Sequence, residues 1–156
     1  MGVPERLVWA VDTLGVRHGE RILEIGCGRG VAVGLIRERG GEVTAIDRSA
    51  KMIAIARERN PGACFMISAV EDDRLSGPYD KIFSVNVNLF WTRSPARELE
   101  IIRRLLAPGG RLYAFYESPG GRDQSAKVAE GFVAGGFSAE ILREGGLIGV
   151  TGRPSP

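Results

Sequence analysis

The residues best suited to chemistry lie in one short run, Ile22-Leu23-Glu24-Ile25-Gly26-Cys27-Gly28-Arg29-Gly30. An apolar strand that ends in three glycines lets the backbone bend sharply and touch a ligand where any side chain would collide. The helix predicted to follow, Val31 to Arg39, then points its unpaired N–H groups at that ligand. Such a turn suits a nucleotide. The second predicted strand, Glu42 to Ile46, ends on Asp47. A carboxylate there can accept hydrogen bonds from both hydroxyls of a ribose, and it would repel a phosphorylated one. A dehydrogenase also carries an acid about 20 residues beyond its glycines, so Asp47 argues for a ribose without choosing the cofactor. The glycine spacing discriminates: Gly26, Gly28 and Gly30 read Gly-x-Gly-x-Gly, and Val31 stands where the dinucleotide pattern requires its third glycine.

Other candidates for chemistry are thinner. Asn86 and Asn88 follow the predicted fourth strand, and Tyr116 and Glu117 end the fifth; all four are placed to orient an acceptor or take its proton, although the asparagines serve equally as turn formers. Phe90 and Trp91 either wall a pocket or staple their loop to the next helix. The single histidine, His18, precedes the first strand, at the edge of the sheet opposite to where ligands sit, and is expected at the surface. Cys27 reads as a small residue in a tight turn, and Cys27 and Cys64 share no metal-ligand spacing, so neither a metal site nor a disulfide is expected.

The elements that must position these residues alternate with hardly a linker, the pattern of a parallel sheet covered by helices on both faces. A helix is predicted from Pro4 to Leu14, with Leu7, Val8, Val11 and Leu14 on one face. Strands are predicted at 21–25, 42–46, 63–67, 81–85 and 111–116, with helices at 31–39, 51–58 and 95–106. Ser49 and Ser94 are placed to cap the helices at 51 and 95. Pro108-Gly109-Gly110 is expected to stop the last of these helices and turn the chain into strand five. A helix near 124–134 and strands near 139–143 and 147–151 complete the chain, and Glu144-Gly145-Gly146 reads as a tight hairpin that makes the last two strands antiparallel.

Composition excludes several classes. The 156 residues are one domain's worth, and 44% apolar residues suffice for a core. The net charge of +2 comes from arginines scattered beside glutamates, as in Arg37-Glu38-Arg39, which reads as solvated helix faces and argues against a nucleic-acid surface. No apolar run approaches the ~18 residues of a membrane span, and no secretory signal pattern opens the chain, so a cytoplasmic location is expected.

The Glu24-x-Gly-x-Gly-x-Gly30 turn with Asp47 closely resembles the class I S-adenosylmethionine-dependent methyltransferases, and the resemblance covers nearly the whole chain. It implies an α/β fold with a doubly wound, seven-stranded, mostly parallel sheet and a C-terminal antiparallel hairpin. It implies one domain over residues 1–156, of which 1–20 form an N-terminal helix and lead-in. By the resemblance, Glu24, Gly26, Cys27, Gly28 and Gly30 cradle the methionine end of S-adenosylmethionine, and Asp47, with Arg48 beside it, holds the ribose. Met52 matches a position whose apolar side chain packs on adenine. The family often has Gly-Asp-Ala-Glu after strand three, its Asp reaching the adenine; here Ser68-Ala69-Val70-Glu71 stands instead. Ala69 cannot make that contact, so either Glu71 or Asp72 replaces it, or the Val70 N–H and apolar packing hold the base. Tyr79 to Asn86 matches the strand whose end lies beside the transferring methyl group.

Methyl transfer from a sulfonium is an in-line displacement that needs chiefly alignment at ~3–3.5 Å and exclusion of water. The Asn-Pro-Pro-Tyr type of sequence found in several amino-directed nucleic-acid methyltransferases is absent at Val85-Asn86-Val87-Asn88. Only the N-terminal helix with Trp9, the 86–94 loop and the 117–123 loop remain to cover an acceptor. The expectation is therefore a small-molecule methyltransferase, monomer or homodimer, releasing S-adenosylhomocysteine. An RNA or protein methyltransferase, or a cofactor-binding module that supports a partner without catalysis, are the alternatives.

Overall fold

A computed structural model describes residues 2–117 and 122–156. The elements are α1 (Glu5–Leu14), β1 (Arg21–Ile25), α2 (Val31–Glu38), β2 (Glu42–Asp47), α3 (Ala50–Arg59), β3 (Cys64–Ile67), β4 (Tyr79–Val85), α4 (Ala96–Leu105), β5 (Leu106–Glu117), α5 (Ser125–Ala134), β6 (Glu140–Glu144) and β7 (Leu147–Gly152). Two single 3-10 turns, Val70–Asp72 and Asn88–Phe90, follow β3 and β4. The seven strands form one sheet in the order β3-β2-β1-β4-β5-β7-β6. β1 to β5 pair in parallel, and β7 runs antiparallel to both β5 and β6. The winding reverses between β1 and β4, and a crevice opens at the C-terminal ends of strands at such a point.

Side-chain alternation builds two cores. Ile22, Val43, Phe83 and Val85 face α1, α2 and α3. Leu23, Ile25, Ile82 and Leu112 face α4 and α5. Each Leu or Ile so buried contributes about 1.5–3 kcal/mol, and both faces of β1 and β4 are covered, which is why these strands read as nearly continuous apolar runs.

The structure corrects several local expectations. Pro4 sits one residue before α1, where its carbonyl accepts from the Leu7 N–H. Val8 is exposed; the buried stripe is Ala10, Val11 and Leu14. Ser49 caps α3 as predicted, its Oγ accepting from the Met52 N–H at 3.2 Å. Ser94 caps nothing, because Pro95 takes the N-cap position of α4 and the Ser94 side chain is exposed. Pro108-Gly109-Gly110 does not end α4 either: the helix stops at Leu105, since Leu106 is already extended and paired with Tyr79 of β4. The Pro-Gly-Gly run instead lies inside β5, where the pairing with β4 shifts register and Gly109 has φ +78°. The C-terminal hairpin stands as predicted, with Glu144 opposite Leu147 and Gly145 at φ +59°.

Candidate active site

The glycine turn is held through its own backbone N–H and carbonyl groups. The N–H groups of Gly26 and Cys27 both donate to the Ile46 carbonyl, at 2.8 and 3.0 Å, fastening the end of β1 to the end of β2. Gly26, Gly28 and Gly30 all have positive φ. At Gly26 (φ +74°) a Cβ would stand 2.5 Å from Val87 Cγ2, and at Gly30 (φ +79°) 2.9 Å from Ala56 Cβ. At Gly28 it would meet nothing within 4 Å, so the turn there opens onto free space. Asn60, which sequence reasoning passed over, locks the far side: its buried Nδ2 donates to the carbonyls of Gly30 at 2.9 Å and Ala56 at 3.0 Å.

Asp47 is tied into the same frame. Its Oδ2 accepts from the Gly28 N–H and its Oδ1 from the Ser49 N–H, each at 2.9 Å. Each oxygen retains further acceptor capacity. Asp47 borders a cleft of about 250 Å³ whose apolar walls include Ile25, Ile46, Ala69, Val70 and Leu89. Arg48, Glu71, Asn88 and Arg93 stand among its polar lining residues. The Glu71 carboxylate pairs with Arg48, and with Arg93 at 3.7 Å; Arg93 also pairs with the buried Glu98 at 3.1 Å. Asp72 turns away, accepting from the Ala69 N–H at 2.9 Å to close the 3-10 turn. Met52 is half-buried and is not part of the cleft wall.

Glu24 lines a second hollow of about 280 Å³ with Gly26, Cys27, Gly28, Arg29 and residues at the start of α1. It is 3% exposed, and its Oε1 has no hydrogen-bond partner among the described residues. Burial, and then the neighbouring negative charge of Asp47, push its carboxyl up to about 8. Burial likewise pushes the Cys27 thiol up to about 12, which keeps it protonated and removes it as a nucleophile.

At the ends of β4 and β5 the arrangement rests on side chains. Asn86 has φ +56°, and its N–H donates to the Phe115 carbonyl at 2.8 Å. Its Nδ2 donates to Glu117 Oε1 at 3.1 Å while its Oδ1 accepts from the Glu117 N–H at 3.0 Å. A third hollow, about 320 Å³, is bounded by Asn86, Trp91, Tyr116, Glu117, Arg122 and Gln124. Trp91 lies tilted against Tyr116, ring centroids 5.1 Å apart. Burial, and then the charge of Asp123, push the Tyr116 hydroxyl up to about 12, so it is a donor and not a base. Asn88 separates from this group and joins the cleft beside Asp47. Phe90 is buried against Phe132, a staple, and Trp9 packs edge-on to Phe115. His18 is exposed and packs beside Gly40, as expected. The 117–123 loop expected to help cover an acceptor lies partly outside the described residues, at 118–121. Among the described residues, no group of three His, Cys, Asp or Glu side chains could hold a metal, and no helix is long and apolar enough to cross a membrane.

The three hollows adjoin: Gly26 lines both the first and the second, and Asn86 both the second and the third. They lie along the C-terminal edge of the sheet at its winding reversal, and Asp47 sits at the end of β2. These features define a doubly wound, nucleotide-binding α/β domain. A methyltransferase domain family matches residues 22–110. The ubiquinone biosynthesis O-methyltransferase of Aeromonas salmonicida is 33% identical over 116 residues, covering 70% of this chain and 48% of that protein. The uncharacterized methyltransferase YdaC of Bacillus subtilis is 31% identical over 129 residues, covering 80% of this chain and 70% of that one. The TehB-like SAM-dependent methyltransferase of Corynebacterium glutamicum superposes with a TM-score of 0.80 at 18% identity, covering 99% of this chain and 90% of that one. The chain spans less than half the length of several curated relatives it matches. It belongs to the class I S-adenosylmethionine-dependent methyltransferase family.

Proposed function

We propose that the chain is a single S-adenosylmethionine-binding domain that transfers a methyl group to a small-molecule acceptor by in-line displacement. The observation that carries this reading is Asp47: its carboxylate is oriented by two backbone N–H groups, beside an apolar cleft that continues over an open glycine turn. The donor set fits the cofactor. Asp47 has acceptor capacity left for ribose hydroxyls, the walls of Ile25, Ile46, Val70 and Leu89 suit a flat base, and the unpartnered Glu24 oxygen faces the hollow that continues past Gly26. When bound, S-adenosylmethionine supplies the electrophilic methyl and the thioether leaving group.

The protein's own work is then positioning. Asn86 stands between the cofactor side and the third hollow and holds the Glu117 carboxylate there. Trp91 and Tyr116 give that hollow an aromatic wall, and Glu117 is the acceptor for a proton should the substrate carry one. The arginines favour a small acceptor over a nucleic acid, because many are spent locally: Arg39 on Asp12, Arg104 on Asp73 and Arg143 on Asp123. The name of the Aeromonas salmonicida relative, a ubiquinone biosynthesis O-methyltransferase, supports that class.

Calorimetric titration with S-adenosylmethionine and S-adenosylhomocysteine, with NAD as control, tests the reading. Saturable binding of the first two and none of NAD is expected; a folded protein that binds neither sulfur compound overturns it.

A further inference from the structure

Among the described residues two charged side chains are almost wholly buried, Glu24 and Glu98. Glu98, 1% exposed, lies in the first turn of α4. Its Oε2 stands 3.1 Å from Arg93 Nη1 and has no hydrogen-bond partner, while its Oε1 accepts from the same nitrogen at 3.4 Å. Among the described residues Arg93 is the one cation at ion-pair distance from this acid. Removing one partner of a buried pair leaves a charge that nothing offsets, so Glu98 holds Arg93 firmly. The Arg93 side chain is itself half exposed and stands in the wall of the cleft beside Asp47.

That grip positions a stretch of chain that otherwise bonds mainly to itself. Asn88, Leu89, Thr92 and Arg93 line the cleft. The N–H groups of Trp91 and Thr92 and the Thr92 hydroxyl all turn back to the Asn88 carbonyl, at 3.2, 3.2 and 3.0 Å. Phe90 and Trp91 root the stretch against the rings of Phe132 and Tyr116, and Arg93 roots it to α4. The Val70–Asp72 turn supplies another part of the lining, and α4 holds that part too: Arg97 Nη2 donates to the Glu71 carbonyl at 3.3 Å. Adjacent residues of one helical turn therefore set both walls. Arg93 Nη2 joins the walls, 3.7 Å from Glu71 Oε1, in a solvated contact that costs little to part.

We propose that Arg93 is a positioning residue for the ligand of this cleft: anchored on Glu98, it holds the 88–93 wall in place, and its contact with Glu71 is the bar that a bound nucleoside must part on leaving. The inference rests on the cofactor reading above, which puts the nucleoside of S-adenosylmethionine in this cleft. Arg93 does no chemistry in this role; it acts through where it places Asn88, Leu89 and Thr92. Burial divides the work between its two acidic partners. The pair with Glu98 stays closed because opening it strands a buried charge, and the pair with Glu71 opens because water replaces it.

The test is the release rate of radiolabelled S-adenosylhomocysteine from the intact chain, chased with excess unlabelled compound, alongside thermal melting. Wild type is compared with Arg93→Gln, Glu98→Gln and the double variant. Arg93→Gln leaves Glu98 buried without its cation, so it should melt lower and release the ligand about fivefold faster. Glu98→Gln needs no cation and should melt close to wild type, yet release should again quicken because Arg93 has lost its anchor. In the double variant the melting temperature should recover while release stays about fivefold faster. That split separates positioning from a purely structural role, in which rate and stability would recover together; should Arg93→Gln fail to fold, the double variant carries the comparison. Release within about twofold of wild type from any of the three, when folded, overturns the role of Arg93 and leaves the cofactor reading standing. If folded wild type binds neither S-adenosylmethionine nor S-adenosylhomocysteine, the cofactor reading fails and takes this inference with it.

Discussion

The two halves of the C-terminal sheet edge are built differently. On the β1–β2 side, the glycine turn and Asp47 are fixed by backbone hydrogen bonds, with partners supplied by Ile46, Gly28 and Ser49. On the β4–β5 side, the hollow is shaped by the side chains of Asn86, Glu117, Trp91 and Tyr116, two of which are exposed. A backbone cradle admits one ligand shape and tolerates little change, whereas a side-chain wall can be rewritten without touching the fold. The first half therefore suits a constant ligand and the second a variable one.

Substitutions can break or sharpen that contrast. The largest effect is expected from Gly26→Ala, where a Cβ meets Val87 at 2.5 Å and the backbone has φ +74°. Strain of about 1–3 kcal/mol should lower Tm, and the displaced turn should cost roughly a hundredfold in cofactor affinity by calorimetry. Next comes Asp47→Ala, which removes the acceptor for Gly28 and Ser49 N–H groups as well as for the ribose. Loss of hydrogen bonds to a charged group should weaken cofactor binding by ~1.5–3 kcal/mol, about 10- to 150-fold.

Glu24→Gln should act in the opposite direction on the ligand-free protein. Burial and the charge of Asp47 push its carboxyl up to about 8 in the fold, against an ordinary value of 4.5. The folded state therefore holds the proton more tightly, and the stability this gives is present below pH 4.5 and lost as pH rises through 8. At pH 8.5 the Gln variant should melt higher than wild type, and the gap should close towards pH 5; equal melting curves across that range would sink the idea. Across the divide, Glu117→Gln should leave cofactor affinity within about twofold while raising the acceptor KM or lowering kcat, as steady-state kinetics with an active acceptor will report. The smallest effect is expected from Asp12→Asn, remote from both halves, where loss of the exposed Arg39 pair should change stability by less than ~0.5 kcal/mol.

Legibility followed the same divide. The positions of Glu24, the three glycines and Asp47 could be read because they depend on a strand, a turn and the residue ending the next strand, all local in sequence. The Ser49 cap and the Gly145-Gly146 hairpin were legible for the same reason. The Asn86–Glu117 clasp joins residues 31 positions apart, and Asn60 reaches Gly30 across 30, so no spacing announces either. Met52 and Asp72 show the converse, positions whose setting only packing decides. Each stood at a plausible position in the chain, yet Met52 lies outside the cleft wall and Asp72 is consumed in closing its own turn. Phe90 and Trp91 were indistinguishable as neighbours in sequence, and packing separated them, Phe90 into the core and Trp91 to the wall of the third hollow.

By itself, then, the sequence determined the alternation of strands and helices, the nucleotide turn and the acid that faces it, because apolar periodicity and glycine backbone freedom act over a few residues. Only the tertiary structure decided that Glu24 is buried with an unpartnered oxygen, that Asn86 joins β4 to β5, and that three hollows adjoin along one sheet edge. Burial and electrostatic environment are set by neighbours distant in the chain, and they exist only once the sheet has brought those neighbours together.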